Sequence, residues 1–396
     1  MPTATVKYYP VGNGDSSLLT LTDGTTLLID CNIRESAKGD ADDTKFDVKE
    51  DLLSSLKKRS NNSFVDVFVL THGDRDHCHG FAKNFYQGDP AKYSATDREN
   101  GLIIMDEIWF SPMVEEISTN NDEDAFEAEA MRRVKLHRDN AANRNDAGNR
   151  LIIIGYDGKD SFSDLNHLRK TPGTVVKEFN QKIQTTFSVF VHAPFKEQLH
   201  DYEGRDKNYT SIVLQARFKQ QASDTDFACL AIFGGDADHY AWCVILSKTK
   251  RYNNHIKEQA LDWDLFLAPH HCSWSYFNDR PYEDNPTPKP EPLEALDFRR
   301  PGGRVIASCK EVLDNDDNPP HYKGKEQYVK KVGAANFLNT ATYKLDGNTP
   351  QPIVFEVTAR GPVFAKLIEG TAAVVGGAGL NAVNSVSRYG AQALQS

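Results

Sequence analysis

The segment from Phe64 to Leu70, FVDVFVL, is apolar everywhere except Asp66 and runs without a spacer into Thr71-His72-Gly73-Asp74-Arg75-Asp76-His77-Cys78-His79-Gly80. A short run this rich in Val and Phe reads as a strand buried on both faces. Such a strand needs covering layers. The preceding run KEDLLSSLKK at 49–58, with Leu52, Leu53 and Leu56 at helical spacing, offers one, so helix followed by buried strand predicts a layered α/β arrangement. The polar loop after the strand carries His72, Asp74, Asp76 and His77 within six residues. In extended chain His72 and Asp74 share a face, and a turn into a helix brings Asp76 and His77 round toward the same point. Two adjacent cations each require several N or O donors, and one strand-end loop can supply only part of such a set.

The remaining donors are expected at other strand ends. Asp236 follows the apolar strand 227–233 and two glycines, where its two carboxylate oxygens can bridge two cations, and His270-His271 follows the apolar run 265–268. Donor spacing at these three strand ends predicts a binuclear centre built from His72, Asp74, Asp76, His77, Asp236 and one of His270 or His271. Upstream, residues 1–32 alternate short apolar runs with turn signals, Gly12-Asn13-Gly14-Asp15 and Asp23-Gly24, as a meander of short strands does. From about 81 to 185 the pattern loosens and reads as an insertion. Its charged helix 122–137 is acidic first and basic second, and Arg132, Arg133, Lys135, Arg138, Arg144 and Arg150 are candidates for flanking a phosphate track, as are Lys323, Lys325, Lys330 and Lys331 late in the chain. Residues 1–369 are read as one domain that contains this centre. Residues 370–396, rich in Gly, Ala, Asn and Ser, are read as a tail that docks on a partner or on a second copy, a role the insertion could share.

These motifs resemble the metallo-β-lactamase fold, in particular the branch represented by the hydrolase domain of the DNA-uptake protein ComEC. The resemblance lies in Val11-Gly12-Asn13-Gly14-Asp15-Ser16, Leu28-Ile29-Asp30, the His-x-Asp-x-Asp-His run at 72–77, Asn208-Tyr209-Thr210-Ser211, Gly235-Asp236 and the His-His-x-Ser run at 270–273, scattered over residues 1 to about 345. It implies an αββα sandwich with a binuclear site at the open edge of two sheets, and hydrolysis by hydroxide held between two divalent cations, manganese or zinc. It also implies that Asp76 orients the attacking water and that Asp30 fixes the loop behind the metals without touching them. Asp74 stands where the wider superfamily has histidine and this branch has aspartate. Cys272 replaces the branch's glycine, which makes its thiol a candidate ligand. The superfamily's intermediate histidine has no clear counterpart, His192 being the nearest candidate. His321, in a late loop, is the candidate for protonating the leaving oxygen.

Composition limits the substrate. The 396 residues carry 46 Lys and Arg against 56 Asp and Glu, a formal charge of −10, so nonspecific attraction to a phosphate backbone is not the default. An anionic substrate must be met by local charge, which two cations supply. No stretch is apolar enough to span a bilayer. The N-terminal residues lack a signal-peptide pattern and the six cysteines show no C-x-x-C spacing, which together predict a cytoplasmic, reduced protein without membrane association. The leading expectation is a metal-dependent phosphodiesterase, a nuclease, acting on nucleic acid or another phosphodiester. The alternatives are a hydrolase of a small ester (phosphorylcholine ester, lactone or thioester) on the same site, and a catalytically idle metal-binding interaction module.

Overall fold

The computed structural model describes residues 3–34, 45–115, 120–156, 160–196, 198, 207–345 and 347–365. Contacts divide the chain into Met1–Phe364 and Ala365–Ser396. The tail expected at 370–396 lies outside the described residues.

The strands of the first unit, in chain order, are β1 (Thr5–Tyr8), β2 (Ser17–Thr20), β3 (Thr26–Ile29), β4 (Lys58–Arg59), β5 (Asn62–Val69), β6 (Ile104–Phe110), β7 (Arg150–Ile154), β8 (Arg169–Lys170), β9 (Val175–Val176), β10 (Glu178–Phe179), β11 (Lys182–Ile183), β12 (Phe187–Ala193), β13 (Val213–Phe218), β14 (Cys229–Phe233), β15 (Trp263–Leu267), β16 (Arg299–Ala307), β17 (Phe337–Asn339), β18 (Ile353–Thr358) and β19 (Gly361–Phe364). One sheet runs β19-β18-β1-β2-β3-β5-β6-β7-β8, with β4 paired to β5; a second runs β17-β16-β15-β14-β13-β12-β9; β10 and β11 form a hairpin. Within each sheet the inner strands that precede the candidate loops are parallel: β3, β5, β6 and β7 in the first, and β14, β15 and β16 in the second. Parallel neighbours end at a common edge. Asp30 after β3, His72 after β5, Asp236 after β14 and His270-His271 after β15 all lie just beyond such ends, the part of an open α/β sheet where ligands bind.

The fold is mixed α/β. Residues of both sheets share one buried cluster, in which Leu27, Val67 and Val69 of the first join Ala231, Phe233, Leu265 and Leu267 of the second. Alternate residues point the other way, as a strand's period of two requires. Ile232 and Phe266 meet Trp242, Ile245 and Leu246 of helix His239–Arg251, and Phe68 meets Phe81, Phe85 and Phe126. Phe126 belongs to helix Asn121–Arg138, whose Ala130 and Val134 fall in the same cluster at helical spacing. Truncating a fully buried phenylalanine such as Phe126 to Ala costs about 3–5 kcal/mol.

The segment 81–185 supplies β6, β7 and β8 to the first sheet and β9 to the second. Its basic residues have partners inside the protein. Arg133 is buried and bonds Glu129 and the carbonyls of Met105 and Arg150; Arg132 bonds Glu129 and Asn149; Arg138 pairs with Asp164. The acidic first turn and basic last turn of helix Asn121–Arg138 match its dipole. All six cysteines are free. Among the described residues no helix is long and apolar enough to cross a membrane.

Candidate metal centre

Asp236 is 2% exposed, and its two carboxylate oxygens face different groups. Oδ2 lies 3.7 Å from His72 Nε2 and 3.6 Å from His270 Nε2; Oδ1 lies 2.9 Å from His77 Nε2 and 3.3 Å from His271 Nε2. Each histidine group has a further carboxylate. Asp74 Oδ2 is 3.6 Å from His72 Nε2, and Asp76 Oδ2 is 3.1 Å from His271 Nε2. The structure thus brings His72, Asp74, Asp76, His77, Asp236, His270 and His271 together. His72, Asp74 and His270 lie on one side of Asp236 and Asp76, His77 and His271 on the other.

Local geometry explains how neighbouring residues in sequence reach different sides. Helix Arg75–Cys78 begins directly after Asp74, which turns Asp76 and His77 away from the extended His72-Gly73-Asp74 segment. His270, His271 and Cys272 have φ of 49°, 52° and 68°, three successive non-glycine residues in the left-handed region. Such residues cost on the order of 1–2 kcal/mol each and persist where surrounding contacts impose them. Here the left-handed turn sets the two imidazole planes 79° apart, one toward each oxygen of Asp236. Gly235, at φ 49°, lets the loop after β14 approach the segment that follows β5, because a Cβ there would lie 2.9 Å from Thr71 Oγ1.

Each imidazole has its Nδ1 engaged. His77 Nδ1 is 2.8 Å from Asp30 Oδ2, His271 Nδ1 is 3.1 Å from the Ser308 carbonyl, His72 Nδ1 is 3.1 Å from Thr71 Oγ1, and His270 Nδ1 is 2.8 Å from Ser275 Oγ. A carbonyl or carboxylate can only accept, so His77 and His271 carry the Nδ1 proton when neutral and turn the Nε2 lone pair inward. Asp30 also accepts from the Thr71 amide and hydroxyl, each at 2.7 Å. It stands behind His77 and orients it, which is how ligand histidines are held in metal sites.

Unpaired atoms and displaced pKa values agree on what such a cluster lacks. His72 Nε2 and Asp15 Oδ1 are buried without a hydrogen-bond partner, an arrangement that is costly unless a cation completes it. The Nε2 atoms of His77 and His271 lie only 3.1 Å apart. Burial works against charging His77, yet Asp236 and Asp30 raise its pKa well above the usual value. Burial likewise opposes charge on His271, but Asp236, Asp15 and Asp76 push it up to about 10. For Asp236 burial works upward and is outweighed by His271, His77 and His270, which hold it well below the carboxylate range. Asp76 is also lowered: burial raises it, and the hydrogen bond from His271 with the charges of His77 and His271 more than reverses that. In the absence of a cation, protons hold these acceptors together. A divalent cation would replace them at these imidazole nitrogens and carboxylate oxygens.

The sequence alone does not mark Asp15 as a donor; it stands there only as a member of Val11–Ser16. One donor atom each from Asp15, His77, Asp236 and His271 lie within 4.8 Å of one another, a buried group able to hold a metal ion. The signal that could have found it is Gly14. At φ 139°, a Cβ there would lie 2.6 Å from the Asp76 carbonyl, so only glycine lets the first loop pack onto the His-x-Asp-x-Asp-His loop.

Three other sequence candidates sit apart from this group. His192 is buried on β12 against Phe190, and burial lowers its pKa to about 3. Cys272 is buried in the cluster under helix Tyr322–Val332, with its thiol pushed up to about 12 by burial. His321 caps that helix, its Nδ1 accepting from the Lys323 amide, and packs against Trp274 and Tyr282. With Nδ1 used in the cap and burial lowering its pKa, neutral His321 can donate only through Nε2. No protein-family model matches the chain, and no curated protein matches it either.

Proposed function

We propose that this chain is a metal-dependent hydrolase of the metallo-β-lactamase type, similar to the hydrolase domain of ComEC, that cleaves phosphodiester bonds as a nuclease. In this reading the two sheets with helices packed on their outer faces are an αββα sandwich, and the centre at their edge takes two divalent cations, manganese or zinc. The observation that carries it is Asp236, whose two oxygens separate two sets of imidazole and carboxylate donors.

Charge supports the same reading. Asp15, Asp74, Asp76 and Asp236 bring four negative charges to four imidazoles, which two divalent cations offset. When bound, such cations make water a nucleophile near neutral pH and neutralise charge developing on a phosphoryl oxygen. The chain's own groups do the rest. Asp236 stays ionised between the donor sets, while Asp30 and Ser308 fix the ring orientations of His77 and His271. Asp76, the most exposed carboxylate of the group at 38%, is ionised and can only accept a hydrogen bond, so it is suited to orient incoming water. The Asp-rich donor set is hard, which favours manganese beside zinc's greater intrinsic affinity.

The test is hydrolysis by chelated and metal-reloaded protein of labelled single- and double-stranded DNA and RNA, with bis-p-nitrophenyl phosphate and a lactone alongside. Metal-dependent cleavage of a phosphodiester, at least as fast with manganese as with zinc, is the expected result. Turnover of the lactone alone would refute the phosphodiesterase reading, and failure to retain any cation would refute the hydrolase reading as a whole.

A further inference from the structure

The tautomer of His270 is set from outside the metal centre by a hydrogen-bond chain whose direction can be read from one fixed donor. The Trp274 amide lies 3.0 Å from Asn318 Oδ1. A backbone N–H can only donate, so the Asn318 atom facing it is its oxygen, an acceptor. The Ser273 hydroxyl, 2.7 Å from the same oxygen, must then give its one proton to it. Ser273 Oγ is left to accept, and it faces the Ser275 amide at 3.1 Å and the Ser275 hydroxyl at 2.9 Å. Ser275 therefore spends its own proton on Ser273. What Ser275 Oγ offers His270 Nδ1, at 2.8 Å, is a lone pair. Nδ1 must carry the proton, so neutral His270 turns its Nε2 lone pair toward the side of Asp236 that also holds His72 and Asp74.

We propose that Asn318, through Ser273 and Ser275, is a positioning residue that fixes His270 as the third protein donor on the His72 side of Asp236. The proposal rests on the two-cation reading above. It gives the paired histidines separate duties: His271, held by Ser308, serves the Asp76 and His77 side, and His270, held by the relay, serves the other. Among the described residues His72 and Asp74 alone would share only Asp236 as a further donor, and the fold brings no intermediate histidine to them. The relay also ties the centre to the late loop, because Asn13 bonds the Pro319 carbonyl next to Asn318.

Equilibrium dialysis of the full chain against manganese tests the relay without using activity. The wild-type chain should retain two equivalents. Ser275→Ala, and Asn318→Leu at an exposed position where loss of packing is small, should weaken one of the two about 10–100-fold, the usual effect of removing a group that orients a ligand. The other equivalent should be unchanged. Ser275→Thr and Asn318→Asp keep the hydroxyl and the acceptor, and should bind both cations as the wild type does; a merely structural role would not sort the variants by hydrogen-bond direction. Two equivalents of wild-type affinity in both Ser275→Ala and Asn318→Leu would overturn the relay and leave the two-cation reading standing. Fewer than two equivalents in the wild-type chain would overturn that reading, and the relay with it.

Discussion

Two groups of carboxylates, one within β5 and β6 and one at the strand ends, are completed in opposite ways. Midway along β5 and β6, Asp66 and Asp106 are almost fully buried, yet each is answered by the chain itself. Asp106 makes a two-point contact with Arg59, and Asp66 accepts from Thr26, Asn180 and Lys182. Asn180 also bonds Asp106, so the β10–β11 turn is clamped under the first sheet. At the strand ends, Asp15, Asp74, Asp76 and Asp236 meet imidazoles and one another, with no Lys or Arg ion pair among the described residues, and buried atoms remain unpartnered. A buried charge that the chain neutralises is a clamp. A buried charge that it orients and leaves short of a counterion is a site for one.

The sharpest way to break this contrast is to remove one carboxylate from each group. Asp236→Ala takes away the group common to both donor sets, so the protein should lose bound cations on dialysis and phosphodiester turnover should fall by more than about 10³-fold, or roughly 4 kcal/mol of barrier. Cations retained in stoichiometric amount would show that Asp236 is not the shared donor. Asp66→Ala should do the reverse. It leaves the Thr26 amide without its acceptor and takes one of two from Asn180, which keeps Asp106, and breaking a buried pair costs about 3–5 kcal/mol, with the lower end expected because Lys182 is 44% exposed and can turn to water. A fall in thermal midpoint with cation content intact is the expected outcome; loss of cations would merge the two groups into one.

The same contrast shows what the sequence could reveal. Strand ends and ligand types were legible because both are local: FVDVFVL running into a His- and Asp-rich loop is a pattern of neighbours. The layered α/β character followed from the same runs. The allotment of His270 and His271 to different oxygens of Asp236 was not legible, since it depends on a left-handed turn at residues whose types do not demand one. Asp15 escaped for a related reason: its role arises from loop packing through Gly14, a contact across about sixty residues of chain. The basic residues of 81–185 looked like a surface track because charge runs say nothing about partners. Arg133 in fact lies inside, bonded to Glu129 and to strand carbonyls that no local pattern announces.

The smallest predicted effect tests whether protons stand in for cations at the strand ends alone. His77 and His271 have folded-state pKa values above the unfolded value of about 6.5, His271 reaching about 10. A raised histidine pKa adds stability that is complete below the unfolded value and is lost as pH rises through the folded one. The metal-free protein should therefore lose thermal stability progressively from about pH 6.5 toward about 10. Buried thiols such as Cys272 also favour unfolding at high pH, because burial keeps them neutral when the unfolded chain would ionise them above about 8.5. They do so with or without metal, and cancel in the difference between the two forms. The depressed carboxylates, Asp74, Asp76 and Asp236, act only at the acid end, where their contribution disappears as pH falls. With cations in place the Nε2 atoms of His77 and His271 hold no protons, so the loaded protein should show no histidine slope above about pH 6.5, and cation uptake at neutral pH should release protons. The midpoint of the metal-free form measured against that of the loaded form, from about pH 6.5 to about 8.5, isolates this effect. Parallel curves over that interval would mean that the strand-end carboxylates are satisfied by the chain after all, as Asp66 and Asp106 are.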